Sequence, residues 1–291
     1  MDEGFSNPLM GYGQNPAQER FMLIDFHTHC FPDGLAGRTM ESLSKIAGVA
    51  PNTDGTARGL LSRMDAEGAD RAVVLHIATR PKNQRSVNNF AAQLQADEPR
   101  LWCFGSVHPF APDAREELFR IKELGLHGVK LHPDYQDFFL CDERAYPVYE
   151  TIAQLGLPVA FHTGEDPYSP GVVHAPPEDV AALAKALPGL RIIAAHMGGM
   201  KRAREALLSL CGLKNVYLDT AMSAPSCDPA LFRQLLLAHG TERVLFGSDC
   251  PWSTPAAELA FLRAAGLSPE ALADVTANNA LRLLGKEQGE T

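Results

Sequence analysis

The chain has 291 residues, 45% hydrophobic and 21% charged, with a net charge of −9 and a mean hydropathy of −0.12, the profile of a soluble globular protein with a substantial core. Lys and Arg form no cluster, so a nucleic-acid backbone is not an expected partner. No apolar run approaches the ~20 residues that cross a bilayer, so no membrane partner is expected either.

Residues 1–19 show no basic stretch followed by an apolar one. They are expected to be a polar N-terminal extension and not a signal peptide. Residues 20–291 are expected to form one domain. Its first apolar run, FMLIDF from 21, leads straight into HTHC at 27–30. In an extended strand, residues two apart face the same side, so His27 and His29 project together. The segment 31–57, rich in Gly, Pro, Asn and Asp, is expected to be a long loop over one end of the domain. Seven further runs follow: AVVLHI from 72, LWCFGSV from 101, HGVKLH from 127, LPVAFH from 157, RIIAAH from 191, NVYLD from 215 and RVLFG from 243.

Helical patterns fill the gaps. Val87, Phe90, Ala91 and Leu94 share one helical face, as do Val180, Leu183, Ala184 and Leu187, and more briefly Leu207, Leu210 and Cys211. Pro112-Asp113 and Pro176-Pro177-Glu178-Asp179 are helix starts, and Gly125 and Gly156 close their helices. Strands this uniformly apolar suit a parallel sheet covered by helices. Eight of them alternating with helices predict a closed (β/α)8 TIM barrel of class α/β, with an open doubly wound sheet as runner-up. The six cysteines (30, 103, 141, 211, 227, 250) include no CxxC pair, so reduced thiols and a cytoplasmic location are expected. A homodimer is the expected assembly, on frequency alone.

In a barrel of this kind the C-terminal strand ends carry the chemistry. The polar residues there are His27, His29, His76, His108, Lys130, His132, His162, His196, Asp219 and Asp249. Every strand end thus bears a group able to bind a metal or move a proton. Any one histidine alone is more often a hydrogen-bonded core residue. The set as a whole points to a metal site, with His27 and His29 as half of it.

HTH at the first strand, GVKLHP at the fourth, AFHTG at the fifth, AAHMGG at the sixth and LFGSDCPW at the eighth resemble the amidohydrolase superfamily. More narrowly they resemble its amidohydrolase-related branch, which includes metal-dependent decarboxylases. The resemblance runs over about residues 21–285, including the closing NNALRLLG. It implies that His27, His29, His162 and Asp249 bind a divalent metal, with His196 beside it as a second-metal ligand or a proton-transfer group. It also leaves two roles for Lys130. In binuclear members a lysine at this strand end is carboxylated and bridges two metals, so the count is one ion or two. Otherwise Lys130 pairs with a carboxylate of the protein or substrate.

Imidazoles with a carboxylate suit Zn²⁺ first, with Mn²⁺, Fe²⁺ and Co²⁺ also compatible. Such an ion lowers the pKa of bound water to about 7, and Asp249 can accept a proton and return it to the leaving group. The expected activity is therefore metal-dependent hydrolysis of an amide, ester or lactone in a small molecule. The alternative is non-oxidative decarboxylation or hydration of a carboxylated small molecule with the same ligands. A barrel that binds a ligand without turnover would be favoured by a missing ligand, and none is missing. A deoxyribonuclease is disfavoured because Lys130 stands where its pattern has a glutamate. For substrate contacts the candidates are His108, His132, Tyr135 and Arg80, with Gln136, Arg38 and Arg85 nearby. Asp219 is as readily structural. Cys30 and Cys250 adjoin the ligands without a nucleophilic partner and are expected to be small wall residues.

Overall fold

The computed structural model describes residues 21–287, and the extension expected over residues 1–19 lies outside them. Eight strands are found among the described residues: β1 (Ile24–Thr28), β2 (Arg71–Leu75), β3 (Leu101–Phe104), β4 (Val129–Leu131), β5 (Pro158–Phe161), β6 (Arg191–Ala194), β7 (Val216–Asp219) and β8 (Val244–Leu245). All pair in parallel, in the orders β1-β2-β3 and β4-β5-β6-β7-β8. Two sets of hydrogen bonds join these sheets into one barrel. Between β3 and β4, Lys130 N–H donates to the Gly105 carbonyl at 2.8 Å; between β8 and β1, Phe26 N–H donates to Phe246 at 2.7 Å and Asp249 N–H to His27 at 2.8 Å. The expected TIM barrel is therefore the fold, and the open-sheet alternative is set aside.

The helices that cover it are α1 (Asp33–Ala47), α2 (Ala57–Glu67), α3 (Gln84–Asp97), α4 (Ala114–Glu123), α5 (Tyr146–Gln154), α6 (Pro177–Ala186), α7 (Ala203–Ser209), α8 (Ser223–Ser226), α9 (Pro229–His239), α10 (Pro255–Ala264), α11 (Pro269–Ala273) and α12 (Asn279–Leu284). Strand alternation divides the core into two layers. Val129, Leu131, Val159, Phe161, Ile192 and Ala194 face the helices, whereas Phe26, Val73, Leu75, Phe104, Ala160 and Ile193 fill the barrel. Ala280, Leu281 and Leu283 of α12 pack on that inner layer, so NNALRLLG plugs the end away from the site.

β1 breaks the alternation, and that break places the site. Ile24 and Phe26 lie in the inner layer, so a regular strand would send His27 and His29 outward. The β1–β2 register instead shifts between Asp25 and Thr28, with Thr28 opposite Val74. One extra residue re-aims the strand end, and both imidazoles turn inward. Gly247 of β8's continuation makes the room: a Cβ there would sit 2.8 Å from the Cβ of His27.

The segment 31–57 is not the long loop expected. It contains α1, which begins after Pro32, carries Asp33 in its first turn and Lys45 in its last, and ends at Gly48 in the left-handed region (φ 67°). Gly34 and Gly37 within the helix, together with the Gly-, Pro- and Asn-containing tail behind it, hide the periodicity of Leu35, Ala36, Met40, Leu43 and Ile46. No helix among the described residues is long and apolar enough to cross a membrane.

Candidate metal centre and active site

Each imidazole at the floor of the barrel mouth is held by one nitrogen, so the other is presented in a known state. His27 Nδ1 lies 2.8 Å from Asp219 Oδ2, and His29 Nδ1 lies 2.9 Å from the Leu75 carbonyl. A carboxylate and a carbonyl only accept, so both Nδ1 atoms carry the proton and both Nε2 atoms present lone pairs. Those lone pairs converge on Asp249 Oδ1, at 3.5 Å from His27 and 3.1 Å from His29. Burial keeps His27 neutral, holding its pKa well below the usual value. With both imidazoles neutral, burial and the facing lone pairs disfavour the Asp249 carboxylate, and a cation bound among these atoms would be what keeps it ionised. Acceptor atoms gathered this closely repel one another unless a cation lies between them. One ligand atom from each of His27, His29 and Asp249 falls within 4.8 Å of the others, so the donor set fits a divalent ion.

A second acceptor pair adjoins the first. His196 Nδ1 is held by the Ala221 carbonyl at 3.1 Å, and His162 Nε2 faces the Glu165 carbonyl and Asp166 Oδ2, both at 3.4 Å. The remaining atoms, His196 Nε2 and His162 Nδ1, lie 3.1 Å apart. They need a shared proton or a cation. His162 groups with His132 and Asp166, not directly with His27, His29 and Asp249.

Asp219 is the hub behind these ligands. Its Oδ2 holds His27, and its Oδ1 accepts from the N–H groups of His196 at 2.9 Å and Ala221 at 3.2 Å. His196 (φ 57°) and Asp249 (φ 65°) both sit in the left-handed region, a conformation that costs a non-glycine residue ~1–3 kcal/mol and persists only where neighbours enforce it. Asp219 enforces the first, and the Asp249 N–H···His27 carbonyl bond enforces the second.

Lys130 lies among these groups, 1% exposed, and its Nζ has no hydrogen-bond partner among the described residues. Burial lowers its pKa to about 8 against the opposing pull of Asp219, Asp249 and Asp166. His132 stacks between Tyr135 and His162, with ring centroids 3.7 Å and 4.3 Å away. His27, His29, His162, His196, Asp249, Lys130, His132 and Tyr135 all line one cavity of about 1110 Å³.

Two expected substrate contacts are not in that cavity. Arg80 is exposed before α3, where its guanidinium stays hydrated. His108 is buried in the turn after β3, where its Nδ1 accepts from Phe110 N–H at 3.3 Å. Neither lines the cavity, and Arg38 and Arg85 are exposed as well. Gln136 is also spent on structure, bonding the Ala78 and Val107 carbonyls at 2.8 Å. Asp166 was missed by sequence reasoning; its signal was an acid four residues after His162 in HTGED.

A family model described as amidohydrolase matches residues 24–286. No curated protein matches the sequence significantly. Among solved structures, 5-carboxyvanillate decarboxylase from Sphingomonas paucimobilis is 19% identical, with a TM-score of 0.67 over 92% of this chain and 100% of that one. A dihydroxybenzoic acid decarboxylase from Polaromonas, solved with manganese and 2-nitroresorcinol, is 18% identical, with a TM-score of 0.64 over 91% and 97%. A Pseudomonas putida protein provisionally named a 2-pyrone-4,6-dicarboxylic acid hydrolase is 22% identical, with a TM-score of 0.66 over 92% and 99%. At these identities the likeness establishes a shared fold.

Proposed function

The chain belongs to the amidohydrolase family, and from that premise we propose that it is a metal-dependent decarboxylase of a carboxylated, unsaturated small molecule. The hydrolysis expected from the sequence becomes the second reading. The observation that carries the proposal is the composition of the cavity. A buried cation, Lys130, lies at an ionic floor beneath walls that are mainly apolar. That arrangement suits a carboxylate pointing down and an unsaturated body above it. Two of the structural neighbours are named for decarboxylating aromatic acids, and one of them holds manganese. Manganese therefore stands beside zinc as the proposed ion.

His27, His29 and Asp249 would hold the ion, His162 and His196 stand next to it, and Asp219 fixes the His27 tautomer. When bound, the ion supplies a Lewis acid for a substrate oxygen beside the carboxylate. Lys130 Nζ orients the carboxylate, whose negative charge in turn favours the ammonium form. The apolar walls exclude water and favour neutral CO2 over the charged group. Loss of CO2 leaves the electron pair on carbon, which takes up one proton. Asp249 starts as the carboxylate, so the proton it would hand to that carbon is first taken from solvent or from a substrate hydroxyl, which solvent then reprotonates.

Isotopes separate the readings. Metal-loaded protein is screened against hydroxylated aromatic acids, lactones and amides in D2O and in H2¹⁸O. Decarboxylation places one deuterium at the vacated carbon for each CO2 released. Incorporation of ¹⁸O without CO2 would establish hydrolysis instead.

A further inference from the structure

The cavity is much larger than a single-ring acid fills. At about 1110 Å³ it exceeds the ~300–1,000 Å³ typical of small-molecule pockets. Part of that space lies along α1. Leu35, Thr39, Leu43, Ile46 and Ala47 line it, and their spacing of four, four, three and one residues puts them on one helical face. Leu35 and Ile46 are 50% and 38% exposed, so nothing among the described residues covers this face. From Leu35 to Ile46 the helix rises about 16 Å.

The charges are distributed unevenly. Lys130 lies at the floor, next to the metal ligands. At the rim, Arg202 is engaged by Glu165 at 3.1 Å and Glu205 at 3.4 Å, and Lys201 beside it also lines the cavity, in the loop after β6 and not on α1. On α1, Lys45 pairs with Glu41 at 2.7 Å, and neither lines the cavity. An acid group on the part of the ligand that lies along α1 would therefore meet apolar side chains, at a desolvation cost that no cation on that helix face offsets.

We propose that the substrate is an acid with an extended apolar body, whose carboxylate head sits at Lys130 and whose body lies along α1. The placement of the head rests on the decarboxylase reading; the apolar body rests on the helix face alone. The continuity of this face with the catalytic floor, in one cavity, assigns it to the substrate and not to a second copy of the chain.

The test is calorimetric binding of benzoate, 4-butylbenzoate and 4-hexylbenzoate to the manganese-loaded full chain, below their aggregation concentrations. A buried methylene tightens binding up to about fourfold. Allowing for losses in ordering the chain, 4-hexylbenzoate should bind at least ~30-fold more tightly than benzoate. Leu35→Asp with Ile46→Asp, both at exposed positions, should erase most of that gain and leave the benzoate Kd within about twofold. Equal Kd values across the series, or a gain that survives the double variant, overturn the proposal. So does a double variant that changes only the oligomeric state, which would assign the face to a second copy. CO2 release from short acids without a chain-length gain sinks this inference and spares the decarboxylase reading. A chain-length gain without CO2 release does the reverse.

Discussion

Asp219→Asn changes no volume and removes one charge, yet the site geometry makes it a severe substitution. Asp219 serves three donors: His27 Nδ1 through Oδ2, and the His196 and Ala221 N–H groups through Oδ1. An asparagine can keep its oxygen on the two backbone donors, which leaves its NH2 facing His27. Nδ1 must then accept, and the imidazole proton moves to Nε2. That proton points at Asp249 and occupies the lone pair that faces an ion. Loss of such an orienting partner costs a metal site 10–100-fold in affinity, about 1.4–2.8 kcal/mol. The tautomer reversal places this case at the upper end. The assay is competition with a chromophoric chelator, using Zn²⁺ and Mn²⁺ separately, with thermal melting of the apo-protein as a control for folding. An unchanged metal Kd in a folded Asp219→Asn protein would refute the assignment of both the tautomer and the ligand atom.

Three further outcomes are expected. Lys130→Met should raise KM at least ~10-fold at unchanged metal content if the ammonium holds the substrate; a fall from two metal equivalents to one would show a bridging role instead. Asp249→Asn, assayed at saturating metal, should lower kcat by ~10² or more because an amide cannot relay a proton; near-normal turnover would remove Asp249 from the chemistry. Glu258 is buried and accepts from Ser253 Oγ at 2.6 Å and Ala224 N–H at 2.9 Å, and burial lifts its pKa to about 7. The folded chain keeps this proton where the unfolded chain has lost it, so Glu258 lowers stability as pH rises from about 4.5 to 7. The Tm of Glu258→Gln should therefore gain on that of the wild type over this interval. Parallel Tm curves would show that burial does not perturb this carboxyl.

The barrel was legible because parallel strands flanked by helices leave uninterrupted apolar runs, such as HGVKL and LPVAF, at intervals that fit one strand and one helix. The inward histidines were legible as a set, but the reason they point inward was not. Regular alternation puts His27 on the face opposite Phe26, and only the register shift against β2 reverses it. A bulge depends on the partner strand, so one strand's sequence does not display it. Asp219 and Asp166 were undervalued for a related reason. Their partners, His27 and His162, sit on other strands or across a turn, and YLDT alone does not announce a carboxylate that holds a distant imidazole. Arg80 failed in the opposite direction. Position in a strand-end loop is legible, but the direction of a long side chain there is set by neighbours. Helix α1 was obscured by averaging over a window that joined it to its irregular tail.

His27, His29 and Asp249 flank the seam where β8 meets β1. Asp25 and Ser248, which are hydrogen-bonded across it, are 223 residues apart in sequence. The set of His27, His29 and Asp249 cannot assemble on a growing chain until residue 249 has been synthesised. An ion at that seam would also act as a clasp on the whole ring of strands. A covalent cross-link over a loop of that size removes about 5 kcal/mol of chain entropy from the unfolded state, and a bound ion confers a related resistance to opening for as long as it stays. Chelation would then loosen the barrel first between its first and last strands, and a circular permutant that joined those strands covalently and opened the chain elsewhere would depend less on the clasp.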